Sequence, residues 1–490
     1  MRRADAIVVG SGPNGLAAAV TMARAGLVVD VVEGAENPGG GCRTEELTLP
    51  GFLHDVCSAV HPLLRASPFF RQVDLAARGV KLHTPRVAFA HPLDGGRTAA
   101  VTGTVRETAA DLGADADAYV RMFSSLVYDA DGILPNFLAP LRSIPSSPIA
   151  TARFGLKGLS PATRLASRFR GDEAQAIIAG AAAHSMLPFS APLSGAFGLL
   201  FTMLAHSLGW PVVERGSARV VEALIAELES MDGRIVTGQW VHRLHDLPPA
   251  RATVLDVTPR QLIEMAGDRL PGRYRRQLGH FRYGPGICKV DWALDGPVPW
   301  QAELCREAVT LHLGGTFGEV AQSEADVAAG RHPDHPFCLV TQPCVLDPTR
   351  APSGKHTLWA YCHVPNGSDV DMTERMEAQI ERFAPGFRDL IVGHVTTTAT
   401  GTEAHNPSYV GGDIGAGAAT LRQTVFRPTV RWNPYRTGLK GVYLCSASTP
   451  PGGGVHGMCG EGAARTVLHD LGWPAAGHDA GHEAELTETP

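Results

Sequence analysis

Long apolar runs, a dominant charge sign and paired cysteines are all missing from this sequence, and each absence argues against a class of protein. The stretch nearest to a membrane span, residues 194–210, is shorter than the roughly 18–20 apolar residues that a span requires. The 43 Lys and Arg residues against 49 Asp and Glu give a formal net charge of −6, so no nucleic-acid partner is expected. The nine cysteines contain no C-x-x-C spacing, which argues against a dithiol redox centre, and their odd number is typical of a reducing compartment.

The ends of the chain and its most apolar stretch bear on location. The N-terminus runs from Met1 directly into an apolar segment, without a signal-peptide cleavage site, so we expect a cytoplasmic protein. Residues 194–210 form either a buried helix or a helix that lines an apolar tunnel or dips into a bilayer surface, which leaves peripheral membrane contact open. Residues 475–490, with Gly, His and Glu and few apolar residues, are expected to be a disordered tail.

The first 33 residues have the pattern of a βαβ unit that binds a dinucleotide. An apolar strand over 5–9 is followed by a glycine-rich turn over 10–15 and by a helix expected over 16–25. A second apolar run, 27–32, ends on the acidic residue Glu33. Strand, turn, helix, second strand and terminal acid are therefore all in register, which is more specific than the glycine motif alone.

Each residue type in this unit has a physical role. Gly10 permits the tight turn, Gly12 lets the backbone approach a pyrophosphate, and Gly15 lets helix and strand pack closely. The helix N-terminus offers free N–H groups to the phosphates. The Glu33 carboxylate lies where an acceptor for ribose hydroxyls is expected and argues against the 2′-phosphate of NADP. The predicted turn contacts come from Gly10, Ser11, Gly12, Pro13, Asn14 and Gly15.

A second glycine turn separates FAD from NAD. Residues 37–44, Asn-Pro-Gly-Gly-Gly-Cys-Arg-Thr, resemble the G-G-R-x-R-T segment of flavoproteins of the amine oxidase and phytoene desaturase type. In those enzymes the segment brings the chain back across the FAD pyrophosphate, which implies contacts from Gly39, Gly40, Gly41, Arg43 and Thr44. Gly41 stands where the amine oxidases carry an arginine, so one charge-assisted phosphate contact is in doubt, while Arg43 remains available.

The C-terminal part has a second glycine-rich helix start. A buried strand over 441–445 leads into a loop over 446–458 and a helix expected over 461–471. In the resembling flavoproteins this loop and helix end contact the N1–C2=O edge of the isoalloxazine, where negative charge collects on reduction. The residues that the resemblance implies as contacts are Gly453, Gly454, Val455, His456 and Met458.

The resemblance extends over nearly the whole chain. Its most specific segments are residues 406–413, 435–445 and 450–458. They are similar to the phytoene-desaturase-related flavoproteins, in particular to the branch of pyridine nucleotide-disulfide oxidoreductase domain-containing protein 2 (PYROXD2). In this family a valine contacts the adenine through its backbone, and Val241 is the matching residue, in a segment expected to be a strand over 240–244.

These features predict an α/β fold with two domains. A discontinuous Rossmann-type FAD-binding domain of the glutathione reductase-like kind comprises residues 1–75, 216–264 and 435–474. Residues 76–215 and 265–434 form a substrate-binding domain, a mixed sheet with helices on one side that faces the flavin.

The predicted activity is an FAD-dependent dehydrogenase, desaturase or oxidase that transfers a hydride from an apolar or amphipathic small molecule to flavin N5. A redox-neutral isomerase of a polyene-type substrate and a non-catalytic FAD-binding interaction protein are the alternatives. No acid–base pair stands out, no metal site is predicted, and His61 and His456 are weak catalytic candidates. The sequence identifies neither the substrate nor the oligomeric state, and oxygen and a quinone are both open as electron acceptors.

Overall fold

Two large sheets organise the protein, one of five parallel strands and one of seven mixed strands. The structure is a computed structural model that describes residues 4–140 and 145–473, so the tail expected over 475–490 lies outside the described residues. The strands are β1 Ala6–Val9, β2 Val29–Val32, β3 Thr44–Glu45, β4 His54–Asp55, β5 Leu82–His83, β6 Val87–Pro92, β7 Thr98–Thr102, β8 Val212–Val213, β9 Arg234–Val236, β10 Ala252–Leu255, β11 Gly286–Leu294, β12 Thr310–Leu313, β13 Cys338–Thr341, β14 His356–Val364, β15 Ile391–Thr397 and β16 Val442–Leu444.

The α-helices connect these strands and cover both sheets. They are α1 Pro13–Arg24, α2 Pro62–Ala66, α3 Val105–Ala110, α4 Ala116–Tyr128, α5 Ala130–Phe137, α6 Pro148–Gly158, α7 Ala162–Ala166, α8 Asp172–Ala183, α9 Ser194–Ser207, α10 Ala218–Glu229, α11 Pro259–Ala266, α12 Gly272–Gly279, α13 Glu303–Glu307, α14 Phe317–Ala328, α15 Thr373–Phe383, α16 Ala399–His405, α17 Leu421–Val425 and α18 Met458–Asp470. Within the described residues, none of them has both the length and the apolar character needed to cross a membrane.

The parallel sheet takes its strands from widely separated parts of the chain, in the order β16-β10-β1-β2-β9. Its central strand β1 is buried along its whole length, as expected for a parallel strand with helices on both faces. Helices α1, α10 and α18 pack on one face and α11 and α12 on the other. This is the Rossmann-type architecture predicted from the sequence, and the carboxyl ends of its strands lie at one edge.

The second sheet has the order β15-β11-β14-β13-β12-β6-β7 and is antiparallel except where β6 and β12 pair in parallel. Along β11 the side chains alternate, with Cys288, Val290 and Trp292 in the core toward α13 and α15. Helices α3 to α6, α8 and α9 form a second apolar core with β6 and β7. The mixed sheet with helices confirms the predicted fold class.

The strand expected over 240–244 does not form. After the edge strand β9, the N–H of Gly238 donates to the carbonyl of Ala35 (3.0 Å) and that of Gln239 to the carbonyl of Glu33 (2.8 Å). The backbone is thus held against the loop after β2 and runs on without regular structure. Trp240 packs on this loop, because a Cβ at Gly34 would lie 2.5 Å from its ring, whereas Val241 packs against the core under α11 and α12.

Candidate cofactor and substrate site

A cavity of about 920 Å³ lies at the carboxyl edge of the parallel sheet and extends to helices α5, α6 and α9. Its volume is at the upper end of the range for small-molecule sites. Residues that the sequence singled out line it from both ends of the chain: Gly10, Ser11, Gly12, Pro13, Asn14, Glu33, Gly40, Gly41, Arg43, His61, Val241, Gly453, Gly454, Val455 and His456. Four other candidates are not among the lining residues. The backbone N–H groups of Gly15, Gly39 and Met458 donate to the lining residues Asp256, Ser11 and His456, and the Thr44 hydroxyl donates to the buried Asp55.

The first turn is held by an acid at each of two strand ends. The backbone N–H and the hydroxyl of Ser11 both donate to Oε2 of Glu33 (2.8 and 2.6 Å), which fixes the carboxylate at the end of β2. A Cβ at Gly15 would lie 2.1 Å from the carbonyl oxygen of Gly10, so only glycine allows this contact between helix and turn. The Gly15 N–H donates to Oδ2 of Asp256 (2.9 Å), directly after β10.

Asp256 is a carboxyl group placed at the positive end of α1. Burial raises its pKa to about 7; the hydrogen bond from Gly15 opposes this shift and the nearby Glu33 carboxylate adds to it. The shift favours the protonated, neutral form of this group. A neutral carboxyl beside the first glycine turn would not repel an anionic ligand.

In the second turn, Tyr409 fills the space that an arginine at position 41 would occupy. A Cβ at Gly41 would lie 2.2 Å from the hydroxyl oxygen of Tyr409, so the phenol occupies the space that a side chain at position 41 would need. Tyr409 belongs to the segment 406–413 and lines the cavity. The Arg43 side chain is buried and its Nε donates to the carbonyl of Gly40 (3.1 Å), which braces the turn.

A buried ion network anchors this second turn to the segment between β13 and β14. Oδ1 of Asp55 accepts hydrogen bonds from the hydroxyls of Thr44 (2.8 Å) and Ser217 (3.0 Å), and Oδ2 accepts one from Arg350 (3.0 Å). Arg350 also binds Asp347 (2.9 Å), and all three ionised side chains are excluded from solvent. Burial opposes ionisation of Asp55, but the Arg350 guanidinium and these hydrogen bonds keep its pKa below the usual value.

The C-terminal loop is braced by His456. The Met458 N–H donates to Nδ1 of this histidine (3.1 Å), so Nε2 carries the proton and donates to the carbonyl of Gly452 (3.1 Å). Burial lowers its pKa to about 4, and the ring is neutral. Both ring nitrogens of His456 form hydrogen bonds within the loop. The residue therefore stabilises the loop and has no ring nitrogen available for proton transfer.

The two glycine-rich helix starts lie against each other. A Cβ at Gly460, in the first turn of α18, would lie 1.9 Å from the carbonyl oxygen of Asn14 in the first turn of α1. The hydroxyl of Ser67 donates to the carbonyl of His456 (2.5 Å) and ties the same region to the segment after α2. The positive ends of two helices therefore meet at one end of the cavity.

Arg427 adds an unpaired cation to the cavity wall. Its side chain is buried, and within the described residues it forms no ion pair and its Nε has no hydrogen-bond partner. Its only hydrogen bonds are long ones to the carbonyls of Ala416 (3.4 Å) and Gly417 (3.3 Å), again within those residues. A Cβ at Gly417 or Gly452 would lie within 2.6 Å of the guanidinium. The Asp413 carboxylate acts on this guanidinium electrostatically but does not pair with it directly. A buried cation in a fitted cradle without a direct ion pair is costly, so it indicates an anionic or strongly polar ligand.

These observations fit FAD. The two glycine turns would hold the pyrophosphate, Glu33 the ribose, and residues 453–456 with the start of α18 the isoalloxazine. The chemistry of the wall agrees, since N–H donors, helix ends and an orphaned guanidinium all favour a ligand that carries negative charge.

The remainder of the cavity is mostly apolar. Helices α5, α6 and α9 line it with Ile133, Phe137, Phe154, Phe197, Leu200 and Phe201. Helix α9 is therefore a buried helix that also lines the cavity, which was one of the expectations for residues 194–210. His61 lies on this wall; burial lowers its pKa to about 4, and its Nε2 has no partner among the described residues.

Several residues escaped sequence reasoning. Asp256 could have been found, because it directly follows an apolar strand at the edge where α/β sheets bind ligands. Tyr409 and Arg427 left no local signal, because the glycines that they contact lie elsewhere in the chain. Arg350 and Asp55 share no sequence motif, since they are 295 residues apart, and only the fold brings them together.

The parallel sheet, its glycine turn and the terminal helix together define a dinucleotide-binding fold of the Rossmann type. Residues 8–73 match the family described as NAD(P)-binding Rossmann-like domain. Pyridine nucleotide-disulfide oxidoreductase domain-containing protein 2 of Rattus norvegicus is 24% identical, with 95% of this chain and 94% of that protein covered. Phytoene dehydrogenase of Streptomyces griseus is 26% identical over 92% of each chain.

Solved structures show the same fold at low identity. An oxidoreductase from Methanosarcina mazei has a TM-score of 0.62 at 15% identity and covers 95% of this chain and 99% of its own. A putrescine oxidase has a TM-score of 0.57 at 17% identity, with coverage of 96% and 99%. The comparisons confirm the resemblance to the phytoene dehydrogenase and PYROXD2 group, and with it the prediction of an oxidoreductase.

Proposed function

We propose that the protein is an FAD-dependent oxidoreductase that removes a hydride from an apolar or amphipathic small molecule. The observation that carries the proposal is the meeting of α1 and α18 at one end of a cavity whose other end is apolar. FAD, when bound, accepts a hydride at N5 of its isoalloxazine. The names of the relatives, phytoene dehydrogenase among them, agree with dehydrogenation.

The residues of the chain supply binding, orientation and exclusion of water. The turns over 10–15 and 39–44 and the Arg427 guanidinium neutralise the charged cofactor, and Glu33 accepts from its ribose. The walls of α5, α6 and α9 hold an apolar substrate by burial of its surface, and this fixes which C–H bond faces the cofactor.

One titratable side chain placed to interact with the substrate is the neutral imidazole of His61. His61 faces the cavity with its ring uncharged at neutral pH, so it acts as a hydrogen-bond partner rather than as a cation. Oxygen or a quinone would serve as the electron acceptor.

The test starts with the purified protein. Yellow colour and flavin absorbance that persist through gel filtration support the proposal, and a folded, colourless protein that does not take up added FAD overturns it. Anaerobic mixing with candidate substrates then defines the reaction. Bleaching of the flavin supports dehydrogenation, whereas product without net bleaching identifies the redox-neutral isomerase instead.

A further inference from the structure

Two histidines form a hydrogen-bonded pair in the wall of the cavity. His184, at the C-terminal end of α8, and His312, in the middle of β12, approach with their Nε2 atoms 3.0 Å apart. His312 is fully buried, whereas His184 is partly exposed and lines the cavity. The rings of Phe201 and Trp210 lie beside His184, with centroids at 4.6 and 6.4 Å.

The structure is shaped to hold this pair. Gly180 lies one turn before His184 on the same face of α8. A Cβ at Gly180 would lie 2.3 Å from Nδ1 of His312 and 2.7 Å from its Cβ, so the imidazole packs directly on the helix backbone. Any larger residue at position 180 would displace the ring and separate the pair.

The missing acceptor at Nδ1 of His312 decides where the protons lie. Within the described residues this atom has no hydrogen-bond partner, and the backbone of Gly180 packs against the Nδ1–Cγ–Cβ edge of the ring. A proton on Nδ1 would therefore be a buried N–H without an acceptor, which is costly. His312 therefore carries its proton on Nε2 and donates to Nε2 of His184. His184 must then carry its own proton on Nδ1.

Both rings stay neutral at physiological pH. Burial, with a contribution from His363, lowers the pKa of His184 to about 3. Burial and the neighbouring His184 and His91 hold the pKa of His312 well below its usual value. Among the described residues, Nδ1 of His184 forms no hydrogen bond, so its N–H is available to a ligand in the cavity.

We propose that His184 is a specificity-determining residue that donates its Nδ1–H to a neutral oxygen of the substrate, a carbonyl, hydroxyl or ether on an otherwise apolar molecule. This inference deepens the proposed function and rests on it. A hydrocarbon would leave the donor unsatisfied, an ammonium group has no lone pair to accept it, and a neutral pair gives a carboxylate no counter-charge.

The test compares two ligands that differ in a single atom group. 2-Octanone and 2-methyl-1-octene have the same shape, with the carbonyl oxygen of the first replaced by a methylene in the second. Their dissociation constants for the FAD-loaded protein are measured by competition with a fluorescent apolar probe, in wild type and in His184→Phe. Because the cost of removing each ligand from water is the same for both proteins, it cancels in the ratio of ratios.

We expect His184→Phe to weaken ketone binding relative to the alkene by between about twofold and tenfold, the range of one hydrogen bond. His312→Leu should lower the same preference, because it removes the partner that fixes the His184 tautomer. Phe154→Leu is the matched control: it removes apolar area from the wall of the same cavity, where its ring packs on Phe137, and should weaken both ligands alike.

The outcomes separate this inference from the function on which it rests. Three outcomes overturn the inference: a ketone-to-alkene ratio that is equal in wild type and His184→Phe, absence of binding of both ligands, or tight binding of octylammonium. In each case a bound flavin still supports the proposed function. A wild-type protein that does not bind FAD overturns the proposed function itself.

Discussion

Replacement of Gly460 by alanine should separate the two helix starts that form the cofactor end of the cavity. The new Cβ would lie 1.9 Å from the carbonyl oxygen of Asn14 and 2.8 Å from the amide nitrogen of Ala18. Both are backbone atoms of α1, which cannot rotate away as a side chain can. Since non-bonded carbon and oxygen atoms need more than 3 Å, α18 must shift by about 1 Å relative to α1.

Such overpacking costs about 1–3 kcal/mol of folding free energy, which corresponds to a fall of a few degrees in Tm. The effect on the cofactor should be larger than this loss of stability suggests, because both sets of N–H donors move at once. We expect the Kd for FAD to rise at least tenfold, about 1.4 kcal/mol. Flavin content after gel filtration and titration of the apoprotein with FAD measure it.

Gly279→Ala is the matched control for this substitution. Gly279 is also a helical glycine, at the end of α12, but a Cβ there meets nothing within 4 Å. It should leave FAD affinity unchanged and alter stability by less than about 1 kcal/mol. If Gly460→Ala binds FAD as tightly as this control does, the two helix starts do not act together on the cofactor.

Three further substitutions test the charges around the cofactor end. Glu33→Arg should abolish FAD retention, because it removes the ribose acceptor and the hydrogen bonds to Ser11, and unchanged flavin content would mean that Glu33 is not that acceptor. Arg427→Met should raise the Tm of the apoprotein, since it removes an unpaired buried charge. It should also reduce the increase in Tm that FAD gives. An undiminished increase would mean that Arg427 does not contact the cofactor. Asp256→Asn removes a group whose folded pKa, about 7, lies above its unfolded value. Wild type should therefore lose stability relative to this variant as pH rises from about 4 to 7, by roughly 2–4 kcal/mol in unfolding free energy, and parallel stability profiles of the two proteins would refute the shift.

Prediction from the sequence succeeded where the signal is local. The unit from β1 to Glu33 was found to within a few residues at each boundary, because apolar runs and glycine turns encode a βαβ unit in consecutive residues. Helix α18 begins three residues earlier than the expected start at 461, because Met458 and its neighbours continue the helix directly from the loop. Residues 240–244 have a strand-like composition, but the hydrogen bonds of Gly238 and Gln239 to the loop after β2 lead the backbone away from the edge of the sheet.

The charged groups of the site could not be predicted in the same way. The orphaned guanidinium of Arg427 depends on Gly417 and Gly452, and the phenol of Tyr409 depends on the absence of a side chain at position 41. Burial and long-range contacts define these groups, and the residues next to them in the sequence predict neither. The His184–His312 pair is a similar case, since its distance is set by the packing of α8 on β12.

The Arg350 network has a consequence for engineering. Asp55 follows the second glycine turn, yet its cation, Arg350, comes from the segment between β13 and β14, 295 residues later. A chimera that exchanges residues 265–434 for those of a relative, in order to redirect the chemistry, must bring an arginine to the same place. Without it, a carboxylate remains sealed in the interior with no opposite charge, and the graft should fail at the level of folding before any question of catalysis arises.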